Sequence, residues 1–202
     1  GQTVDTARSA GWTDLLLERH GVVTRDGVSA EAIPGGFTRF YPVLRQMEDI
    51  GKVRRGYFVE GMGGAQFALP GAVDRLRARD EATRPLAATD PANLFGAAVP
   101  WPKHATGRPA RASSAWVVIR GGALVAFVDR RRVLTFAEAD DAVAQAIGQV
   151  GRRRGRMTLN EIDGESPLAT PLGNMLQQHG FAVTPRGLAF RGSKLVPRES
   201  LP

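Results

Sequence analysis

The stretch that most constrains the fold covers residues 35–77, where an apolar helical pattern precedes a basic, glycine-rich segment and a second helix. Apolar side chains recur there at spacings of three and four, which places them on one helix face. They are Phe37, Phe40, Tyr41, Leu44, Met47 and Ile50. Gly51 is expected to end this helix. Pro42 favours a late helix start, near Tyr41, with the proline in the first turn.

Two short strands are expected after this helix. Residues 52–59 are rich in β-branched, aromatic and basic residues, and residues 66–69 return as a partner strand. Gly61, Gly63 and Gly64 supply the backbone freedom for the turn between them. A helix packed on a basic hairpin commonly holds duplex DNA, with the helix in a groove and the hairpin on the phosphates. This order of elements predicts the second half of a winged helix.

The residues upstream predict the first half of the same unit. A short helix that ends at Gly21 is expected from four apolar residues, Trp12, Leu15, Leu16 and Leu17. A small strand is expected at 22–23, followed by a second helix at 28–33 that the Pro-Gly-Gly sequence of 34–36 closes. Residues 1–79 are therefore predicted to form a winged-helix domain.

The composition is that of a folded, soluble protein. The 202 residues are 43% hydrophobic and 23% charged, which is ordinary for one or two domains. A net charge of +7 favours an anionic partner. The absence of cysteine excludes disulfides and thiolate metal sites, and the three histidines are too scattered to predict a metal site. No apolar run approaches the roughly 18 residues of a membrane span and no signal-peptide pattern occurs, so a cytoplasmic location without membrane contact is expected.

A different composition begins at residue 80. Residues 80–112 are rich in proline and alanine, and their apolar residues follow neither the helix nor the strand period, which predicts an irregular connector. Leucine and aromatic residues favour packing of this connector over a surface. Leu94, Phe95, Val99 and Trp101 are candidates for a contact between protomers or domains.

The remaining sequence predicts a second, strand-rich module over residues 113–191. Strands are expected at 116–120, 123–128, 133–136, 157–162, 181–184 and 188–190, and helices at 137–150 and from Ser166-Pro167 to Gly180. This order predicts a small barrel-like α+β module, so the chain as a whole is expected to be α+β. Residues 192–202 contain Leu-Val-Pro-Arg, a sequence familiar from protease-cleavable tags, and carry no fold prediction.

Four ordered segments resemble one protein family. They are GGFTRFYPVLRQMEDIGKVRRGYFVEGMGGAQFALPGAVDRLR, LAATDPANLFGAAVPWP, ALVAFVDRRRVLTF and LQQHGFAVTPRGL. Together they are similar to the C-terminal region of the Lhr (large helicase-related) family of bacterial superfamily 2 helicases. The resemblance covers about residues 12–191.

The resemblance implies a parent enzyme that is an ATP-dependent, 3′-to-5′ DNA helicase using ATP and Mg²⁺, with a part in DNA repair. It also implies an extension of winged helices and a β-barrel similar to AlkZ-type DNA glycosylases. This chain has no G-x-x-x-x-G-K-[ST] loop, no Asp-Glu-x-His box and no length for two motor domains. We therefore expect no ATPase activity and no cofactor in this chain itself.

Basic residues of both modules are candidates for phosphate contacts, although each is also compatible with an ordinary solvated surface. In the first module they are Arg39, Arg45, Lys52, Arg54 and Arg55. In the second they are Arg130, Arg131 and Arg132 in a hairpin tip, with Arg152 and Arg153 after a helix. Aromatic residues at periodic positions, including Trp12 and Trp116, are expected in the core instead. The expected partners are DNA, single-stranded or forked, the motor domains of the same polypeptide, and further copies of the chain.

One pair of residues is a weak candidate for catalysis by the chain itself. The Gln-x-Gln or Gln-x-Asp dyad that the AlkZ likeness calls for does not occur. Asp163 and Glu161 belong to an acidic cluster beside a strand end, where a carboxylate can orient water for hydrolysis at a flipped base. A solvated turn leading to Ser166 is the interpretation we favour. His104 and His179 are expected to be structural, and the sequence assigns no role to Gln66.

Three functions remain open from the sequence. The first is a nucleic-acid-binding accessory region of an Lhr-type helicase. The second is a DNA glycosylase module, and the third is a module for oligomerisation or for docking onto the motor.

Overall fold

The computed structural model describes residues 2–78 and 80–191. Within them the chain divides into two compact units. The first unit holds the residues up to Asp80 together with Leu94–Pro100, and the second holds Glu81–Asn93 and the residues from Trp101 onward. Helices and mixed sheets occur in the chain, which confirms the α+β prediction.

The first unit is a winged helix with a three-stranded sheet. Its elements are α1 (Gln2–His20), β1 (Val22–Val23), α2 (Arg25–Ala30), α3 (Gly36–Asp49), β2 (Arg54–Gly56), β3 (Gln66–Ala68) and α4 (Pro70–Arg77). The strands are antiparallel in the order β1-β3-β2, with Arg55 opposite Phe67. The largest fully buried side chains of its core are Leu17, Phe40, Leu44 and Phe67.

Helix α1 buries a different face from the expected one. Leu16 and Leu17 are in the core as predicted, but Trp12 and Leu15 are 42% and 56% exposed. Two hydroxyl residues, Ser9 and Thr13, lie on the buried side instead. The Thr13 hydroxyl donates to the Ser9 carbonyl oxygen at 2.8 Å, so this face is buried without an unpaired polar atom there. The expected core position of Trp12 is therefore wrong.

Helix α3 begins earlier than Pro42 suggested. The helix starts at Gly36 and contains Pro42 in its interior, so the predicted late start is wrong. Gly35 precedes the helix with φ of 86°, a conformation that glycine adopts without strain and that turns the chain directly into α3. Proline cannot donate to the Thr38 carbonyl, but Thr38 and Pro42 are both exposed, so water can bond that carbonyl.

Gln66 organises the loop between β2 and β3. Its side chain is fully buried, and its Oε1 accepts hydrogen bonds from the Phe58 and Val59 amides, both at 2.8 Å. Its Nε2 donates to the carbonyl oxygens of Val59 and Met62, both at 3.0 Å. Every hydrogen-bonding site of this amide is therefore used on the loop backbone, a role that the sequence did not reveal.

The second unit contains two open sheets and two helices. Its elements are β4 (Arg84–Ala87), β5 (Trp116–Arg120), β6 (Ala123–Val128), β7 (Arg132–Thr135), α5 (Asp141–Arg154), β8 (Thr158–Leu159), β9 (Glu161–Ile162), a 3₁₀ turn (Pro167–Ala169), α6 (Pro171–Gln178), β10 (Phe181–Thr184) and β11 (Gly187–Phe190). The sheet orders are β4-β5-β6-β7-β9 and β10-β11-β8. The expected barrel-like sheet is therefore not closed within the described residues. Its core lies among β5–β7, α5, α6 and β11.

The segment expected as a single connector is divided between the two units. Residues 84–87 form β4, which pairs antiparallel with β5, so this part is a strand and not irregular chain. Trp101 packs edge-on against Phe127, with ring centroids 5.7 Å apart. Leu94, Phe95, Val99 and Trp101 are all partly buried in the units to which they belong. A contact between protomers through these residues stays a prediction.

Both helices of the second unit begin later than the sequence predicted, and each has a side-chain cap. Asp140 caps α5 by accepting from the Val143 amide at 3.1 Å, and the helix begins at Asp141 rather than at Ala137. A hydrogen bond from Arg120 lowers the pKa of Asp140 below its ordinary value. Thr170, not Ser166, caps α6, because its hydroxyl accepts from the Gly173 amide.

Candidate nucleic-acid interfaces

Carboxylates neutralise most of the cations around the β2–β3 wing. The Lys52 ammonium lies 2.9 Å from Asp14, and the Arg55 guanidinium lies 3.2 Å from Glu48. Arg54 is exposed and has no carboxylate within 4.0 Å among the described residues. To bind a phosphate, Lys52 or Arg55 would thus have to leave its carboxylate partner. Arg54 can bind a phosphate without breaking an ion pair of this kind.

The two predicted arginines of α3 differ in accessibility. Arg39 is half-buried, and its Nε donates to the Ser9 hydroxyl at 3.0 Å, which holds it toward α1. Arg45 is exposed and lies 3.9 Å from Glu48. A hydrogen bond with Tyr41, together with the nearby Asp49 and Glu48 charges, raises the pKa of Arg45. Of the two, Arg45 is the one that solvent and ligands can reach.

The end of α3 carries acidic and apolar groups beside a groove of about 540 Å³. The groove is lined by Ala10, Asp14, Val43, Gln46, Met47, Asp49, Ile50 and Lys52. Ile50, expected in the apolar stripe, follows the helix and is 77% exposed. Carboxylates beside the negative end of the helix dipole repel phosphate, so this part of α3 is poorly suited to DNA.

The two arginine clusters of the second unit meet at one end of the larger sheet. Trp116, the first residue of β5, pairs with Val128, directly before the tip that carries Arg130 and Arg131. The Arg153 guanidinium lies over the Trp116 ring, 5.5 Å from its centroid. Arg154 donates to the Ser114 carbonyl oxygen at 3.1 Å. The C-terminus of α5 and the β6–β7 tip therefore flank the start of β5.

We call this surface the arginine end. Its members are Arg130, Arg131, Arg132, Arg152, Arg153, Arg154 and Arg156. The hairpin tip is also tied to the chain that follows the second cluster, because the Arg131 carbonyl oxygen accepts from the Asn160 amide at 2.6 Å. Over the residues that the structure describes, no carboxylate lies within 4.0 Å of these seven guanidinium groups. From the sequence, a single basic track through both clusters was one of two open interpretations, and the structure brings the hairpin tip and the helix end to the same end of the larger sheet.

Asp163 lies in a network of hydrogen bonds that occupies both carboxylate oxygens. Oδ1 accepts from the Thr135 amide at 2.7 Å and lies 3.1 Å from His104 Nε2. Oδ2 accepts from the Thr135 hydroxyl at 2.6 Å. The Thr106 amide donates to His104 Nδ1 at 3.2 Å, so in that tautomer Nε2 carries the proton that faces Asp163.

This network favours a structural role for the carboxylate. Both carboxylate oxygens already accept hydrogen bonds from Thr135, and the positive φ of 52° places Asp163 in a tight turn. Glu161 lies in β9 opposite Arg132 and is not part of the network. The His104–Asp163 pair could not be predicted, because the partners are far apart along the chain and no spacing rule joins them.

Among the described residues, no group of three or more histidine, aspartate or glutamate side chains is arranged to hold a metal ion. None of the described helices combines the length and apolar character needed to cross a bilayer.

Comparison with known proteins places this fold in a family. Residues 2–88 match the family model of the winged-helix domain of large helicase-related protein. The first unit is thus a winged-helix domain of the Lhr type. Over 203 aligned residues and 91% of this chain, it is 39% identical to the Lhr helicase/uracil glycosylase of Escherichia coli. Over 213 aligned residues and 92% of the chain, it is 40% identical to the Lhr helicase/probable uracil glycosylase of Mycolicibacterium smegmatis.

The Lhr likeness extends through both units, since the family model ends near β4 while the two alignments cover more than nine-tenths of the chain. The chain spans only 13% and 14% of the lengths of these two relatives. Their names therefore describe proteins with much more sequence than the units described above.

Proposed function

We propose that the chain is a nucleic-acid-binding accessory region, C-terminal in an ATP-dependent, 3′-to-5′ DNA helicase of the Lhr type that acts in DNA repair. The observation that carries this proposal is the Lhr winged-helix domain with an exposed basic wing strand, in which Arg54 has no ionic partner among the described residues. ATP and Mg²⁺ would serve the motor domains elsewhere in the polypeptide, since this sequence has no phosphate-binding loop.

The wing can hold a nucleic-acid backbone without reading bases. Arg54 and Arg55 lie next to each other on β2, with Lys52 just before it, so three cations follow one extended segment. Arginine donates paired N–H groups that match a phosphate. Such contacts position the protein on DNA, single-stranded or forked, and carry no sequence information themselves.

Replacing Lys52, Arg54 and Arg55 together by alanine is expected to weaken DNA binding on all sequences alike. Each lost phosphate contact lowers the salt slope of log K by up to about 0.9. Because Lys52 and Arg55 already have carboxylate partners, we expect a loss near that of one contact, with Arg54→Ala alone giving most of it. Fluorescence anisotropy over a salt series measures both quantities.

Arg25→Ala serves as the control, since Arg25 is exposed and lies outside the wing and α3. A folded triple variant with an unchanged slope would exclude the wing from phosphate binding.

The names of both relatives favour glycosylase activity as a second candidate. Such an enzyme needs a pocket for an extruded base and a group that assists cleavage of the glycosidic bond. The carboxylate of Asp163 is occupied by Thr135 and His104, so we expect no abasic sites when the chain alone is incubated with uracil-containing DNA. Alkali-induced strand breakage that Asp163→Asn abolishes, with folding and DNA binding intact, would establish the enzymatic function.

A further inference from the structure

The excess of positive charge lies mostly outside the winged helix. Residues 2–78 contain 10 lysines and arginines against 9 aspartates and glutamates, whereas residues 80–191 contain 14 against 10. Seven of those 14 cations form the arginine end. Its near neighbours in sequence include only two acids, Asp129 and Glu161. The Asp129 carboxylate accepts from the Arg130 backbone amide at 2.6 Å and is directed at the backbone.

The dipole of α5 stabilises some of the arginines that are clustered at the arginine end. Arg152, Arg153 and Arg154 form the last turn of α5, where the negative end of the dipole favours cations. Arg130 and Arg131 project from a hairpin tip and are exposed to water. Neither arrangement neutralises the charge, so the guanidinium groups still repel one another. A bound polyanion would remove that repulsion.

The stack of Arg153 on Trp116 prepares one guanidinium for phosphate. Trp116 packs against the core and is half-buried, while Arg153 remains exposed. A guanidinium whose charge is held over the face of an aromatic ring still has N–H groups that can donate to an anion. Arg154 is fixed nearby by the Ser114 carbonyl. Less side-chain entropy is therefore lost when these arginines bind an anion.

We propose that the arginine end is the main binding surface of the chain for the phosphodiester backbone of nucleic acid, with the wing as a secondary one. This inference rests on the proposed function and assigns most of the backbone contacts to the second unit. The surface consists of a hairpin tip, a strand start and a helix end, and its donors are guanidinium groups. Such a surface grips phosphates without selecting bases.

The test compares two variants of the full 202-residue chain with equal charge change. The first carries Arg130→Gln, Arg131→Gln, Arg152→Gln and Arg156→Gln. It spares the two arginines whose side chains contact Trp116 and the Ser114 carbonyl oxygen. The matched control carries Lys103→Gln, Arg108→Gln, Arg186→Gln and Arg191→Gln, four exposed cations of the same unit. Thermal unfolding confirms that both variants fold.

We expect the first variant to bind an oligonucleotide at least tenfold more weakly, with the salt slope reduced by up to about 2.8 for a single strand, about 0.7 for each contact. The control should lose less than about threefold. Arg153→Lys, which keeps the charge but loses the forked N–H donors of the guanidinium, should weaken binding by about threefold.

Equal losses in the two charge variants would show that only net charge matters and would overturn the proposal. Competition by polyglutamate as strong as that by polyphosphate of equal charge would overturn it in favour of an acidic protein partner. If the wild type binds and the first variant binds equally well, the location at the arginine end is contradicted but the proposed function is not. No binding by the wild type contradicts the proposed function as well.

Discussion

Replacing Gln66 by leucine is expected to lower the free energy of unfolding of the winged-helix unit by about 3 kcal/mol, as several buried backbone groups lose their partner. The Phe58 and Val59 amides and the Val59 and Met62 carbonyls all bond to this one side chain. Leucine fills a similar volume, so the loss comes from hydrogen bonding and not from a cavity. Urea unfolding followed by circular dichroism measures it.

Gln178→Leu is the matched control, since Gln178 is exposed, and it should change stability by no more than about 0.5 kcal/mol. Gln66→Glu gives a second comparison, because a carboxylate keeps the acceptors for the two amides but loses the donors to the two carbonyls. A Gln66→Leu variant as stable as the Gln178→Leu control would contradict the role assigned to this side chain.

Gly173→Ala is expected to destabilise the second unit by about 3 kcal/mol, because the added methyl group has no room. A Cβ at this position would overlap the carbonyl oxygen of Pro167, a backbone atom of the preceding 3₁₀ turn. It would also come within 3.1 Å of the Thr170 hydroxyl that caps α6. The turn and the cap must both shift, and thermal unfolding of the variant measures the cost.

Asn174→Ala, one residue further along α6, is exposed and provides the control for helix propensity. Alanine favours the helix at both positions, so only the steric term separates them. Equal or higher stability of Gly173→Ala would show that the 3₁₀ turn yields easily and that its contact with α6 is not tight.

Local signals in the sequence predicted most elements of the fold. The β5–β6 hairpin was predicted with its observed bounds, because Gly121 and Gly122 take the positive φ angles, 55° and 83°, that a tight turn requires. Strand β4 was missed, since its Pro85 argues against a strand and only pairing with β5 makes it one. The start of α3 was predicted too late, because the solvent exposure that lets Pro42 lie inside the helix could not be predicted from the sequence.

The candidate interfaces could be predicted as clusters of basic residues, with one track through residues 130–132 and 152–156 left open. Basic runs indicated the wing and both parts of the arginine end, because charge is visible residue by residue. The ion pairs that neutralise these cations could not be predicted, since Lys52 pairs with Asp14 across 38 positions of the chain. The same holds for Arg153 over Trp116 and for Asp163 beside His104, which meet only in the folded unit.

Assembly and catalysis stay predictions for this chain. The apolar connector residues expected at a protomer contact are partly buried in their own units. The full polypeptides of the relatives are about seven times longer than the aligned part, and their helicase and glycosylase names refer to that whole length. Phosphate binding is the property that can be tested on this chain alone.

The most direct test of that property is a binding titration of the chain with duplex, forked and single-stranded DNA over a series of salt concentrations. We expect binding to all three, with dissociation constants of about 1–100 μM at physiological salt and a log–log slope steeper than about −2. That result is the signature of several phosphate contacts and of counterion release. Absence of binding at low salt, or binding that salt does not weaken, would contradict the account.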